Sequence, residues 1–283
     1  MNNIRTKRRR RKKQRKVKRI LLLSLICVLA VTAAIIIRHT GKKDTGISDI
    51  EIAEKNPVLY PEKPEQEVKL DTAILKKDNV KTCYLTFDDG PTLSVTPRIL
   101  DTLRRYNVKA TFFMVGTLIE NNKSMARRVY DEGHCLANHS YAHNYSDLYA
   151  DKDTFMNEIN KTFELIREVM GKEDCPKIFR FPGGGFNAGS YGAAKQEYKL
   201  VLKEKGIRYC DWNALNGDAE GKKRTAEELA ERVKKTTNGK EDVVILMHDA
   251  AAKSTTADAL PYVLEYLISE GYKFKTLDKA PIV

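Results

Sequence analysis

From Lys81 onward, short apolar strand-like runs alternate with amphipathic helical patterns, and this alternation limits the possible folds more than any other feature. The strand-like runs are residues 82–87, 110–115, 135–138, 178–181, 207–212, 243–247 and 272–276. Between them lie helical patterns at 97–106, 124–132, 154–170, 193–205, 226–237 and 257–269. Gly133, Gly171, Gly206 and Gly271 follow four of these patterns, where a helix C-cap falls. Each helix returns the chain to the same end of the sheet, so successive strands run parallel. The expected class is therefore α/β, with a parallel sheet either open or rolled into a barrel.

The segment before this domain has a different character. Residues 1–19 hold twelve Lys or Arg and no acid. Without those twelve, the fifty basic residues fall to thirty-eight, matching the thirty-eight acids, so the remainder is neutral. The formal charge of +12 thus belongs to a tail and gives no reason to expect a nucleic-acid partner. Residues 20–37 are apolar except for Ser24 and Thr32, and as a helix would span about 27 Å, enough for a bilayer core. The tail's cations outnumber Arg38, Lys42 and Lys43 beyond the run, which places the N-terminus in the cytoplasm and the domain outside. A cleaved signal peptide is the alternative; the length of the run and the lack of a small-x-small site before Arg38 favour an uncleaved transmembrane anchor. Residues 38–78 are charged, poor in aromatics and carry Pro57, Pro61 and Pro64, as a semi-rigid stalk would. The folded domain is expected over residues 79–283.

The chemically capable residues fall at one end of the expected strands. Asp88 and Asp89 follow the first and His139 and His143 the third; Arg180 closes the fourth, Asp218 lies beyond the fifth, and His248 ends the sixth. In a β/α barrel the carboxyl ends of the strands build the active site. One Asp and two His form the ligand set of an open catalytic zinc site, and the second Asp is then available as a base. Zinc suits imidazole plus carboxylate; cobalt and nickel are possible. His248 beside the ion would be a proton donor. Arg180 would hold a carboxylate, and the amides of Gly183–Gly185 could stabilise an oxyanion. His134 precedes its strand and reads as structural, and His39 belongs to the stalk. Cys83, Cys135, Cys175 and Cys210 read as unpaired thiols.

These motifs together resemble a known family. Thr86-Phe87-Asp88-Asp89-Gly90-Pro91, His139-Ser140-x-x-His143, Arg180-x-Pro182-Gly183 and Leu246-x-His248-Asp249 resemble, in order, the motifs of polysaccharide deacetylases of the NodB-homology, carbohydrate esterase family 4 type. The resemblance covers roughly residues 81–280. It implies a distorted (β/α)₇ TIM-like barrel, preceded here by the one transmembrane helix, with a divalent metal on Asp89, His139 and His143. It also implies Asp88 as general base, His248 as general acid and Arg180 as partner of the base, with Pro182, Gly183, Leu246 and Trp212 lining the substrate and oxyanion region. Two positions depart from the family pattern. The usual Tyr after the third-motif proline is Gly183, which keeps the amide and loses a ring. The fourth motif, counted from Trp212, puts its Asp at Asp218 but replaces its second Trp with Ala219; an alternative alignment uses Asp211-Trp212. The implied reaction is metal-dependent removal of acetyl groups from a polysaccharide, with cell-wall peptidoglycan N-acetylglucosamine as the leading substrate. The alternatives are a surface polysaccharide with N- or O-acetyl groups, and a non-catalytic carbohydrate-binding barrel. The expected state is a monomer tethered to the cell membrane.

Overall fold

A computed structural model describes residues 80–186 and 190–280. The tail, anchor and stalk expected over residues 1–78 lie outside the described residues. Among those that are described, no helix is long and apolar enough to cross a membrane.

The strands are β1 (Thr82–Gly90), β2 (Thr111–Met114), β3 (Cys135–Asn138), β4 (Ile178–Phe179), β5 (Arg208–Tyr209), β6 (Ala214–Leu215), β7 (Asp242–His248) and β8 (Lys273–Phe274). The helices are α1 (Thr96–Arg105), α2 (Gly116–Asn121), α3 (Lys123–Asp131), α4 (Tyr145–Leu148), α5 (Lys152–Met170), α6 (Gly192–Glu204), α7 (Ala226–Thr237) and α8 (Ser254–Ser269). Every strand pairing is parallel, in the order β5-β4-β3-β2-β1-β7-β6, with β8 on the early part of β1. The two strands ending that order, β5 and β6, are consecutive in the chain and separated only by residues 210–213. One extended run thus leaves β4 and joins β7, curling the sheet in the manner of a distorted (β/α)₇ barrel.

That run differs from the single strand expected at 207–212. Its middle, including Asp211 and Trp212, pairs with no strand, because the chain is there crossing from one neighbour to the other. Asp218 consequently follows β6 rather than β5. The expected patterns at 226–237 and 154–170 match α7 and α5 closely, whereas α2 and α4 are too short to show a helical period.

The two faces of the sheet carry separate cores. Cys83, Leu85 and Phe87 pack outward with the helices, together with Val243, Ile245 and Met247 of the neighbouring β7. Tyr84 packs inward with Phe113, Cys135, Ala137, Ile178 and Leu277, and Val244 joins them. Strand alternation therefore places Tyr84, Thr86 and Asp88 in one inward column, beside Val244, Leu246 and His248 in another. The apolar rungs stand lower and the titratable ones at the carboxyl end. The pattern of the strand thus decides which side chains reach the site. The four described cysteines are all free, and three of them are buried.

Candidate active site

Adjacent strand residues normally face opposite ways, yet Asp88 and Asp89 both reach the site. The β1–β2 register shifts between Asp88 and Gly90, and Asp89 has φ 70°. This bulge turns the second carboxylate back to the side of the first. A left-handed residue other than glycine costs roughly 1–3 kcal/mol, and such residues collect at functional sites. Ser140 (φ 68°) and His143 (φ 54°) do the same in the second motif.

Close approach demands a glycine next to this bulge. A Cβ on Gly90 would lie 2.1 Å from Oδ2 of Asp249, a carboxylate that Thr96 Oγ1 already fixes by donating a 2.6 Å hydrogen bond. Complete burial, with the charges of Asp89 and Asp88, pushes the Asp249 carboxyl up to about 7 despite the Thr96 bond. Gly90→Ala should therefore destabilise the domain by about 1–3 kcal/mol, the cost of overpacking. Thermal melts should show it as a fall of roughly 2–4 °C per kcal/mol.

His139 and His143 sit on a loop, not on one face of a helix. Glu158 of α5 accepts from the amides of Tyr141 and Ala142, each at 2.9 Å, and Asn138 Oδ1 accepts from Ser140 N at 2.9 Å. Thus held, the two imidazole Nε2 atoms lie 3.4 and 3.2 Å from the same oxygen, Asp89 Oδ1. One ligand atom from each of the three residues falls within 4.8 Å of the others.

This trio suits a metal ion on its own chemistry. His139 Nδ1 lies 2.9 Å from the carbonyl oxygen of Arg180, which can only accept, so Nδ1 carries the hydrogen and Nε2 points its free end at Asp89. Asp89 Oδ1 is buried and without a hydrogen-bond partner. Burial opposes the charge of Asp89, but the facing imidazoles hold its carboxyl well below the usual range. Burial likewise opposes a charge on His143, and Asp89 raises it. The local field therefore favours positive charge between these side chains, and an Asp-His-His set fits a divalent cation.

Asp88 is 2% exposed and turns one carboxylate oxygen towards Arg180, which is fully buried. Arg180 Nη1 donates to Asp88 Oδ1 (2.8 Å) and Thr86 Oγ1 (2.7 Å), Nε to the Cys210 carbonyl (2.8 Å) and Nη2 to the Asp211 carbonyl (3.1 Å). Its guanidinium stacks 4.0 Å above the Phe113 ring and 5.6 Å from that of Trp212. Asp88 Oδ2 stays outside the ion pair, 3.8 Å from His139 Nε2.

Across the site, His248 Nδ1 meets Asp218 Oδ1 at 2.7 Å. Asp218 Oδ2 accepts from the His248 amide (2.9 Å) and from Thr256 Oγ1 (2.7 Å). Burial disfavours the imidazolium, but the Asp218 hydrogen bond and charge, with Asp88 and Asp89 nearby, raise the His248 pKa to about 9. Burial also disfavours the Asp218 anion, and His248 lowers its pKa nonetheless. The alternative alignment on Asp211 is not supported by these contacts. Asp211 Oδ1 accepts from Gly185 N at 2.7 Å and does not take part in holding His248.

The third motif forms a turn beside these groups. Gly183 has φ 73°, and Leu246 is buried on the inward column below His248. Trp212 packs edge-on to Phe186 at 5.4 Å between centroids. His134 is buried away from the site, with Nδ1 accepting from Ala110 N. Burial, aided by Lys109, lowers its pKa to about 4. The structure thus brings Asp88, Asp89, His139, His143 and Arg180 together and pairs Asp218 with His248. Glu158, Thr96, Thr256, Tyr145 and Tyr149 support them, and no spacing rule marks those residues in the sequence.

The domain is similar in sequence and fold to known proteins. The polysaccharide deacetylase family model matches residues 75–201. The peptidoglycan-N-acetylglucosamine deacetylase PgdA of Listeria monocytogenes is 35% identical over 199 residues, 70% of this chain but only 38% of that protein's length. A peptidoglycan-N-acetylglucosamine deacetylase of Bacillus cereus is 33% identical over 208 residues, covering 71% of this chain and 89% of that one. The crystal structure of the catalytic domain of peptidoglycan N-acetylglucosamine deacetylase from Eubacterium rectale superposes with a TM-score of 0.66 at 32% identity, covering 71% of this chain and 91% of that one. With its motifs on one barrel face and a relative matched over nearly its whole length, the chain belongs to the polysaccharide deacetylase family.

Proposed function

We propose that the domain hydrolyses the N-acetyl group of cell-wall peptidoglycan N-acetylglucosamine, releasing acetate, with one zinc ion held by Asp89, His139 and His143. The observation that carries this reading is the orphaned Asp89 Oδ1 between two imidazole nitrogens, beside a second carboxylate left unligated. When bound, such an ion supplies Lewis acidity and a water made nucleophilic near neutral pH. Asp88 Oδ2 accepts the proton of the attacking water while Arg180 fixes the carboxylate through Oδ1. The Gly183 N–H meets the negative oxygen that develops on the acyl carbon. His248, charged and oriented by Asp218, donates a proton to the departing amine nitrogen. A purely carbohydrate-binding barrel has no use for this base and acid.

The basic tail and the apolar run of residues 20–37 support a single-pass membrane protein, its catalytic domain outside and its stalk holding that domain close to the wall. A monomer is sufficient, because one chain supplies every group named above.

The test is acetate release from N-acetylglucosamine oligomers and muropeptides by the zinc-loaded chain, with products read by mass spectrometry and zinc binding by titration. One zinc per chain and a loss of 42 mass units (about the mass of an acetyl group less a proton) on glucosamine positions are expected. Unchanged glycans under one-zinc loading would sink the proposal.

A further inference from the structure

Two tyrosines outside the family motifs converge on the turn that carries the Gly183 amide. Tyr149, buried at the end of α4, donates its hydroxyl to the Pro182 carbonyl at 2.9 Å. Tyr145, one helical turn earlier, lies against Gly183 itself: a Cβ built there would be 2.9 Å from its hydroxyl. The Tyr145 ring also stands edge-on to His143 at 5.5 Å between centroids. One short helix therefore ties the proposed metal-ligand loop to the proposed oxyanion loop.

The turn explains why a hydroxyl matters there. Phe181-Pro182-Gly183-Gly184 closes with Gly184 N donating to Phe181 O at 2.7 Å, and its third residue has φ 73°. Proline second and a positive-φ glycine third mark a type II turn. A type I turn uses the same four residues with the central peptide rotated by about half a turn, and glycine permits both. The peptide is planar and trans, so its carbonyl and its N–H point in opposite directions. By holding the Pro182 carbonyl on its hydroxyl, Tyr149, whose ring packs with those of Tyr191 and Tyr198, turns the Gly183 N–H the opposite way. The following residues are fastened separately: Lys195 Nζ donates to Gly184 O (2.8 Å) and Gly185 N donates to Asp211 Oδ1 (2.7 Å). Gly183 is exposed in this turn, and among the described residues its N–H donates to no backbone carbonyl.

We infer that Tyr149 is a positioning residue that selects the type II turn and so aims the Gly183 amide at the acyl oxygen of the substrate. This rests on the deacetylase reading and deepens it, because glycine at position 183 has no side chain with which to fix that peptide.

The experiment compares the zinc-loaded chain with Tyr149→Phe and with a variant bearing p-aminophenylalanine at position 149, which keeps a donor. For Tyr149→Phe, kcat on N-acetylglucosamine oligomers should fall about tenfold to a hundredfold, less than the roughly 10²- to 10³-fold cost of losing an oxyanion donor outright. KM and zinc stoichiometry should not change. Affinity for a tetrahedral phosphonamidate analogue should fall in parallel with kcat. A crystal structure of the variant should show Gly183 with negative φ, and the p-amino variant should recover most of kcat. An unchanged kcat overturns the inference. So does a folded p-amino variant as slow as Tyr149→Phe, and that arm decides the matter if Tyr149→Phe does not fold. If the unaltered chain releases no acetate, the parent reading fails instead, while the φ of Gly183 in the variant still tests what Tyr149 does.

Discussion

Asp88→Asn should lower acetate release by about 10²- to 10⁴-fold, the usual worth of a positioned proton acceptor, with zinc binding retained. The two neighbouring carboxylates make this separation possible. Asp89 faces both imidazoles, while Asp88 spends Oδ1 on Arg180 and keeps only Oδ2 for chemistry. Asparagine preserves the volume and can still present an oxygen to Arg180 Nη1, but it has no second anionic oxygen. Removing one partner of a buried ion pair commonly costs about 3–5 kcal/mol. Here the loss is cushioned, because Arg180 keeps Thr86 Oγ1 and the carbonyls of Cys210 and Asp211 as acceptors. The variant should therefore melt lower yet fold, and its activity is to be compared well below its Tm. Asp89→Asn should behave differently, losing zinc affinity first and activity as a consequence. Full turnover by a folded, zinc-bearing Asp88→Asn chain would remove the role of base from Asp88.

The sequence made the inward column legible because a strand has a period of two. Once Thr82–Gly90 is read as a strand, Phe87 and Asp88 must face opposite sides, and the outward Phe87 lies in the core against the helices. The same logic places Leu246 and His248 together on β7. It fails at Asp89, whose return to the site needs a bulge that depends on the register of β2 and so on tertiary pairing. The crossing run from β5 to β6 was hidden for a related reason: the strand-like run at 207–212 carries no mark of a change of neighbour, and only the pairings on each side divide residues 208–215 in two.

Side chains that act through backbone groups left still less trace. Glu158 sits in mid-helix on α5, where a glutamate is an ordinary surface choice, yet it accepts both amides that shape the histidine loop. The sequence places His139 and His143 four apart after the third strand, but it does not show that left-handed Ser140 and His143 are what bring the rings together. Tyr145 and Tyr149 are likewise four apart, and their partners at Pro182 and Gly183 lie too far along the chain for spacing to reveal them.

Asp218→Asn should move the alkaline limb of the rate profile to lower pH, and pH selects where its effect is greatest. The leaving amine needs a proton, so the active form has His248 charged. That form prevails below the His248 pKa of about 9 and is lost as pH rises through it. Burial alone would push this pKa down; the hydrogen bond and charge of Asp218 are the first influences that raise it. Without the carboxylate, His248 should titrate at or below its ordinary value of about 6.5. With pKa values of about 9 and 6.5, the protonated fraction at pH 8 falls roughly thirtyfold. The imidazole also loses the partner that orients it at 2.7 Å, so the fall in kcat/KM at pH 8 should exceed that figure. Near pH 6 much of the difference should disappear, because both proteins are then largely protonated. A uniformly misfolded or misaligned site would instead lose activity equally at every pH. A kcat/KM profile from pH 5.5 to 10 (spanning roughly both pKa values) separates the two outcomes, and an unshifted alkaline limb would detach Asp218 from the proton donor.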